Sequence, residues 1–308
     1  MIKSVKTENT LEFTSCLLCD SNNSSVWESV PPYNYVKCNE CGLIYASPRN
    51  SKAAQKQVLN NDGEYWVAQS KLGKGAPVLS TQKNETRKVN FVKEWIKKGR
   101  LLDVGSAYGG FLTCAKERGF DVTGVEIAEP FGFKAKDQGL NILLGDILEV
   151  DLTGKAYDVV TLWDTIEHLS QPLETLKKLH KHMNNGALLF IFTPNAEGTS
   201  AFLFGNNWWV FQPEFHLVMF SQKTLRRMVE KAGFKVKMVR SLNVITRETA
   251  YKLNYRTLLS RESYLSNGKR TSFIKVIINI SLKIIDKIFP SFTSLLNIGD
   301  DILLVAQK

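Results

Sequence analysis

The sequence predicts an α/β fold in which helices cover both faces of a mostly parallel β-sheet. The first observation is a short apolar strand that leads into a glycine-rich turn and then a helix, over residues 100–118. The second is that further apolar strands alternate with helical segments as far as about residue 240. The third is that several strands end in an acidic residue. Strands that alternate with helices form a parallel sheet, and ligands bind beyond the carboxyl ends of its strands.

The strand, turn and helix at residues 100–118 form the centre of the predicted fold. Leu101–Val104 is the buried strand, Gly105–Gly110 is the turn, and Phe111–Arg118 is the helix. The turn places backbone N–H groups and the positive end of a helix beside any ligand at the carboxyl end of the strand. The spacing of the glycines matches neither the dinucleotide-binding motif nor the P-loop.

The next strands bring acidic side chains to the same edge of the sheet. The second strand, Asp121–Glu126, ends in a carboxylate that could accept hydrogen bonds from both hydroxyls of a ribose. The third strand, Asn141–Asp146, and the fourth, Tyr157–Asp164, also end in an acid. The remaining elements are predicted as a helix, two strands and a final strand, over Pro172–Met183, Ala187–Phe192, Phe234–Arg240 and Ile302–Ala306.

These residues carry a resemblance to a known family. The segment Asp103–Gly110 resembles the first motif of class I S-adenosylmethionine-dependent methyltransferases, and Glu126 matches their ribose-binding acid. Ala107 stands where the family usually has a glycine. The resemblance implies a Rossmann-like, seven-stranded, mostly parallel sheet with helices on both faces, and S-adenosylmethionine as the cofactor.

The resemblance also implies the residues that hold this cofactor. In the family, the acid at Asp146 hydrogen-bonds the adenine amino group and Ile147 lies beside the ring; the alternative for Asp146 is a surface residue that caps the next turn. The implied cofactor-binding set is Asp103, Gly105, Ala107, Gly109, Glu126, Ile127, Asp146, Ile147, Trp163 and Asp164.

Three residues are candidates for acid–base catalysis. His168 follows the fourth strand and titrates near neutral pH, so it is either a general base or a residue that orients the ligand. Residues 196–220 form an insertion rich in Phe and Trp, in which Glu214 and His216 are further candidates. The aromatic residues of this insertion either enclose a substrate or pack together as a hydrophobic flap.

The first fifty residues predict a metal site. Cys16 and Cys19 form one Cys-x-x-Cys pair and Cys38 and Cys41 form another, a spacing typical of a zinc ribbon. Since sulfur would fill all four positions, the zinc would be structural. We therefore predict a zinc-ribbon-like module at 1–50, a connector or lid at 51–80, and a methyltransferase domain at 81–308.

The methyltransferase domain contains a predicted basic helical insert at about 243–298, before the last strand. Within it, Phe273–Phe289 reads as an amphipathic helix with lysines on one face. Such a helix either makes peripheral contact with a membrane or packs on its own domain or a dimer partner.

Composition limits the partners and the compartment. The net charge of +10 favours an anionic partner. The cysteine pattern does not resemble a disulfide framework, and Met1–Phe13 lacks the apolar core of a signal peptide. We expect a cytoplasmic protein, with membrane association open through Phe273–Phe289.

The expected function is methyl transfer to a small molecule. A zinc ribbon before such a domain resembles sugar methyltransferases, so the expected acceptor is a nucleotide-linked or lipid-linked sugar of surface-polysaccharide biosynthesis. One alternative is an RNA methyltransferase, although the ribbon has no basic stripe with interleaved aromatic residues and a nucleic-acid partner is not expected. Another is a methyltransferase-like scaffold without enzymatic activity.

Overall fold

The computed structural model describes residues 11–71, 82–204, 208, 210–242 and 299–308, with side chains omitted at 62–71 and 203–204. The predicted insert at about 243–298, including the helix Phe273–Phe289, lies outside these residues. No helix in the described part of the chain combines the length and the apolar character that a bilayer span requires.

The elements follow one another in three groups. The first strands are β1 (Leu11–Glu12), β2 (Ser24–Val30), β3 (Tyr33–Cys38), β4 (Ile44–Ala46) and β5 (Arg49–Asn50). The alternating part comprises α1 (Lys52–Lys71), α2 (Gln82–Trp95), β6 (Gly99–Val104), α3 (Gly110–Glu117), β7 (Phe120–Glu126), α4 (Glu129–Asp137), β8 (Ile142–Leu144), β9 (Tyr157–Trp163), α5 (Pro172–Lys181) and β10 (Met183–Pro194). The last group comprises α6 (Thr199–Phe204), β11 (Val218–Met219), α7 (Gln222–Lys231), β12 (Lys235–Leu242) and β13 (Asp301–Gln307).

Seven of the described strands form one sheet in the order β12-β13-β10-β9-β6-β7-β8. The strands from β10 to β8 in this order pair in parallel, whereas β13 runs antiparallel to both of its neighbours. Successive residues of β6 face opposite sides: Leu101 packs in the core that contains residues of α2 and α3, and Leu102 in the core that contains residues of α5 and α7. The predicted α/β fold, with a mostly parallel sheet between two layers of helices, is confirmed.

A second, four-stranded sheet joins the N-terminal segment to the rest of the chain. Its order is β11-β4-β3-β2, so its edge strand comes from the insertion after β10. Val218 pairs with Tyr45 and Met219 with Ile44. The contacts that build this sheet therefore cross the predicted module boundary at residue 50.

Two elements differ from the sequence-based expectation. The predicted connector at 51–80 contains the helix α1, which docks on α4: Lys56 Nζ lies 3.1 Å from Glu129 Oε1, and Asn60 Oδ1 accepts the Glu129 N–H at 2.9 Å. In addition, Met183 ends no helix but begins β10, whose register with β9 shifts between Met183 and Leu188. An irregularity of this kind lets a strand continue through the sequence Asn-Asn-Gly.

Candidate active site

A cavity of about 460 Å³ opens at the carboxyl ends of β6, β7 and β9. Residues after β6, β7, β8 and β9 form its floor, α1 forms one wall, and the loop before β11 forms another. This is the edge where a parallel sheet with flanking helices binds its ligand, because loops of different βα units meet there.

The glycine turn takes conformations that most side chains avoid. The φ angles of Gly105 and Gly109 are both 76°, and a Cβ atom at Gly105 would lie 2.8 Å from Cγ2 of Thr165. Ala107 also has a positive φ, 46°, although it is not glycine. This conformation directs the Ala107 N–H to Oε2 of Glu126 at 2.8 Å.

Glu126 is buried at the end of β7 and is held by backbone groups. Its Oε2 accepts the Ala107 N–H, and its Oε1 accepts the Ala128 N–H at 2.7 Å. Burial raises the pKa of this carboxyl, and the backbone N–H groups of Ala128, Ala107 and Ile127 oppose the rise. A carboxylate has about four acceptor positions, so these backbone bonds leave Glu126 capacity for a ligand hydroxyl.

Asp146 both lines the cavity and caps the turn that follows β8. Its Oδ1 accepts the Leu148 N–H at 2.8 Å, and its Oδ2 lies 2.9 Å from Nζ of Lys52 on α1. Lys52 also pairs with Glu149 at 2.7 Å. The capping role that was the alternative for Asp146 is therefore present together with its position in the cavity.

The structure brings most, but not all, of the predicted cofactor-binding residues to the cavity. Those that line it are Gly105, Ala107, Glu126, Ile127, Asp146, Ile147 and Asp164. Those outside its lining are Asp103, Gly109 and Trp163.

The three residues outside the lining lie within the glycine turn or behind it. Asp103 is buried beneath it and accepts a hydrogen bond from Oγ1 of Thr161 at 2.6 Å. Gly109 precedes α3 in a left-handed conformation. Trp163 packs on Phe111 of α3, with ring centroids 5.5 Å apart. Residues at strand ends alternate between faces, which takes Trp163 away from the cavity.

His168 and His216 lie next to each other in the cavity wall, with ring centroids 4.8 Å apart. Nδ1 of His168 is 2.9 Å from the carbonyl oxygen of Phe215, and Nδ1 of His216 is 2.6 Å from that of Val210. Because a carbonyl only accepts, each Nδ1 carries the hydrogen, and Nε2 is the basic nitrogen of each neutral ring. Burial lowers the pKa of His168, which keeps this ring neutral near pH 7.

Glu214 does not join the two histidines. It is exposed and absent from the cavity lining. The His216 N–H donates to the Gln212 carbonyl at 2.8 Å, and this turn places Gln212 and His216 on one side and Glu214 on the other. The geometry therefore separates Glu214 from His216, and the sequence-based grouping of these two residues is corrected.

A buried acid that the sequence analysis did not nominate lies beside the histidines. One carboxylate oxygen of Glu167 and one ring nitrogen each of His168 and His216 all lie within 4.8 Å of one another. Oε2 of Glu167 accepts a hydrogen bond from Thr193 at 2.9 Å, and burial, followed by the charge of Asp164, raises its pKa well above the usual value. The Glu-His dipeptide after a strand was the available signal.

Two aromatic residues of the insertion pack on the N-terminal sheet. Trp208 and Phe211 are buried with Tyr35 of β3 in one cluster, and Phe211 lies edge-on to Trp27. Of its aromatic residues, Phe215 lines the cavity. Trp208 and Phe211 therefore match the interpretation as a hydrophobic flap, whereas Phe215 matches the interpretation as a wall of the substrate pocket.

The four predicted metal ligands meet in one cluster. Sγ of Cys16 is 3.4 Å from Sγ of Cys41, Sγ of Cys19 is 3.5 Å from Sγ of Cys38, and all four sulfurs lie within 4.8 Å of one another. None of these thiols is in a disulfide. Burial opposes ionisation of Cys38, but the N–H groups of Cys41 and Glu40, together with the thiols of Cys19 and Cys41, outweigh it and lower its pKa to about 7.

Comparisons with known proteins identify similar sequences and folds. The sequence matches the family described as "Methyltransferase domain" over residues 81–238. The ubiquinone biosynthesis O-methyltransferase of Aeromonas salmonicida is 30% identical over 103 residues, and that of Rickettsia conorii is 33% identical over 106 residues. These matches cover 31% and 32% of this chain but only 43% and 36% of the relatives, so the chain spans less than half of their length.

Similarity to a solved structure extends over more of the chain. The phosphoethanolamine N-methyltransferase 2 of Haemonchus contortus, in complex with S-adenosyl-L-methionine, has a TM-score of 0.57 and 16% identity, covering 86% of this chain and 62% of that one. At this identity the similarity establishes the fold.

Proposed function

This chain belongs to the methyltransferase domain family, and we propose that it transfers the methyl group of S-adenosylmethionine to an oxygen atom of a small-molecule acceptor. The observation that carries the proposal is the single cavity lined by Glu126 and Asp146 together with His168 and His216. The first pair suits a cofactor with a ribose and an amino-purine, and the second pair suits an acceptor that must lose a proton.

The residues of the cavity fit this cofactor. Glu126 keeps acceptor capacity for a ribose hydroxyl, Asp146 would accept from the adenine amino group, and Ile127 and Ile147 supply apolar surface for the ring. The amide of Gln55 on α1 is buried against the cavity without a hydrogen-bond partner among the described residues. A buried amide in this state favours a polar ligand opposite it.

The chain's own contribution to the reaction is alignment and proton removal. When bound, S-adenosylmethionine supplies an electrophilic methyl carbon on a sulfonium sulfur. The cavity holds an acceptor hydroxyl in line with that carbon, which accounts for much of the rate. Nε2 of His168 or of His216 takes the hydroxyl proton, and burial keeps His168 in the neutral form that this step needs. The helix α1 covers the site and limits the access of water.

The acceptor is proposed to be small and anionic. The cavity volume of about 460 Å³ must hold the cofactor and the reacting part of the acceptor, which favours a small molecule. The net charge of +10 favours a phosphorylated one, such as a nucleotide-linked or lipid-linked sugar. The O-methyltransferases among the relatives support oxygen as the acceptor atom.

We also propose that the four cysteines hold a structural zinc ion. The sulfur–sulfur distances of 3.4 and 3.5 Å are close to the edge of about 3.8 Å in a tetrahedron with Zn–S bonds of about 2.3 Å. Four thiolates fill all positions and leave none for a water, so this zinc would stabilise the N-terminal sheet rather than take part in the reaction.

Calorimetry and a transfer assay test the proposal. We expect S-adenosylhomocysteine to bind with a stoichiometry of one, and radiolabelled methyl to pass to one class in a panel of nucleotide sugars, lipid-linked sugars, quinol precursors and RNA. His168→Gln should lower kcat at unchanged cofactor affinity, whereas His182→Gln, outside the cavity, should leave kcat unchanged. A protein that binds no S-adenosylhomocysteine would contradict the proposal, and transfer to RNA alone would replace the small-molecule acceptor.

A further inference from the structure

The side chain of Gln55 is buried without satisfying its hydrogen-bonding groups. It is only 5% exposed, and neither Nε2 nor Oε1 has a partner among the residues that the structure describes. Buried amides are nearly always paired, because an unpaired one loses its bonds to water without replacement. Gln55 lines the cavity, so a ligand there is the natural partner.

The neighbours of Gln55 indicate which part of a ligand it faces. The cavity-lining residues of α1 are Lys52, Gln55 and Leu59, which lie on one side of the helix. One turn before Gln55, Nζ of Lys52 is 2.9 Å from Oδ2 of Asp146, at the end of β8. One residue after it, Lys56 pairs with Glu129 at the start of α4. The helix thus crosses the cavity between β8 and α4, where Asp146 and Glu126 also lie.

We propose that the carboxamide of Gln55 hydrogen-bonds the adenine of bound S-adenosylmethionine. A carboxamide presents an acceptor and a donor side by side, and this pair matches the 6-amino group and a ring nitrogen of adenine. Neither the carboxylate of Asp146 nor the ammonium of Lys52 offers both groups. The inference rests on the proposed function, and it assigns a cofactor contact to a helix outside the matched family domain at 81–238.

Replacement of Gln55 by methionine distinguishes a loss of ligand binding from a loss of folding stability. Methionine keeps the length of the side chain but cannot pair with adenine. We expect Gln55→Met to weaken S-adenosylhomocysteine binding about tenfold or more in calorimetry, as the loss of one or two ligand hydrogen bonds does. The same substitution should raise the ligand-free melting temperature by about 2–4 °C, because an unpaired buried amide is removed. The matched control is Gln57→Met, an exposed residue of the same helix that should change neither quantity.

A second ligand tests whether the contact is to adenine. An analogue with purine in place of adenine lacks the 6-amino group and offers the carboxamide no N–H donor in either orientation, so we expect wild-type protein to bind it more weakly and Gln55→Met to weaken its binding less than that of S-adenosylhomocysteine. If Gln55→Met lowered the affinity for both ligands by the same factor, the proposed contact with adenine would be overturned. Unchanged affinity of folded Gln55→Met, with wild-type protein that does bind, would overturn this inference alone. Wild-type protein that binds neither ligand would overturn the proposed function as well.

Discussion

Among single residues, Asp103 shows how burial controls protonation beneath the glycine turn. Burial raises its pKa to about 7, although the hydrogen bond from Thr161 opposes the rise. In the unfolded chain an aspartate titrates near pH 4. A pKa that folding raises adds stability below the unfolded value, and this stability is lost as the pH rises through the folded value.

We therefore predict that Asp103→Asn becomes progressively more stable than wild type as the pH rises. The amide oxygen of asparagine can still accept the hydrogen bond from Thr161, but the side chain cannot ionise. Between pH 5.5 and pH 8 the difference in unfolding free energy should grow by about 2 kcal/mol in favour of the variant. Urea unfolding at several pH values measures it. Parallel curves for the two proteins would show that Asp103 titrates in the folded state as it does in the unfolded chain.

Ala107 holds a backbone conformation that favours glycine. Its φ of 46° costs an ordinary residue about 1–2 kcal/mol, which exceeds the entropic cost of about 0.5–1 kcal/mol for introducing glycine. We predict that Ala107→Gly raises the unfolding free energy by about 0.5–1 kcal/mol in thermal or urea unfolding. Ala115→Gly, inside α3, should instead lower it by about 1 kcal/mol. Destabilisation by both substitutions would contradict the strain at Ala107.

The parts of the site that could be predicted from sequence have local causes. The strand at Leu101–Val104 is an apolar run, the turn needs glycines with positive φ at Gly105 and Gly109, and Glu126 and Asp146 follow from strand ends. That His168 and His216 touch could not be predicted. Their contact depends on the path of the loop before β11 across the N-terminal sheet, and no local pattern encodes that path.

At the scale of elements, α1 and β11 also could not be predicted from local sequence patterns. The sequence of α1 has no apolar stripe, and its helix is docked by ion pairs such as Lys52 with Asp146 and Lys56 with Glu129. Helices in proteins gain most of their stability from tertiary contacts, which cannot be read from the sequence of the helix alone. The strand β11 has only two residues, too few to show the alternation of apolar and polar side chains that predicts a strand. It forms because the edge of β4, at Ile44 and Tyr45, is available for backbone pairing.

The pairing of β11 with the N-terminal sheet gives a testable link to the histidines. The hydroxyl of Tyr35 donates to the carbonyl oxygen of His216 at 2.7 Å in a buried position. We predict that Tyr35→Phe lowers the unfolding free energy by about 1–2 kcal/mol, because the carbonyl is left unpaired. It should also lower kcat, because the hydrogen bond to the carbonyl of His216 fixes the backbone that positions the His216 ring.

Tyr33 provides the matched control for Tyr35. Its hydroxyl donates to Oδ1 of Asn50 at 3.0 Å, so Tyr33→Phe removes a buried hydrogen bond in the same strand that does not involve the backbone of His216. We expect a similar loss of stability in thermal unfolding and no change in kcat. Equal effects of the two substitutions on kcat would refute the link through His216.

At the scale of the whole molecule, the cysteine cluster, the N-terminal sheet and the cavity form a continuous structure. Nζ of Lys231 donates to the carbonyl oxygen of Leu18 at 2.7 Å, and Nη1 of Arg227 donates to that of Cys41 at 3.3 Å. Both donors lie on α7, which packs on the main sheet. From the cluster, β3 and β4 lead to β11 and the loop that carries His216. Disorder at the cysteines should therefore reach the side of the cavity that His216 lines.

Removal of the proposed zinc tests this continuity. We predict that Cys38→Ala abolishes zinc content measured by atomic absorption, lowers the melting temperature by more than about 5 °C, and reduces kcat more than the affinity for S-adenosylhomocysteine. The reason for the unequal loss is that Glu126 and Asp146 belong to the main sheet, whereas His216 depends on β11. Cys114→Ala, at the remaining cysteine in α3, should retain one zinc per chain. If Cys38→Ala lost its zinc and kept the wild-type kcat, the N-terminal sheet would not position the loop that carries His216.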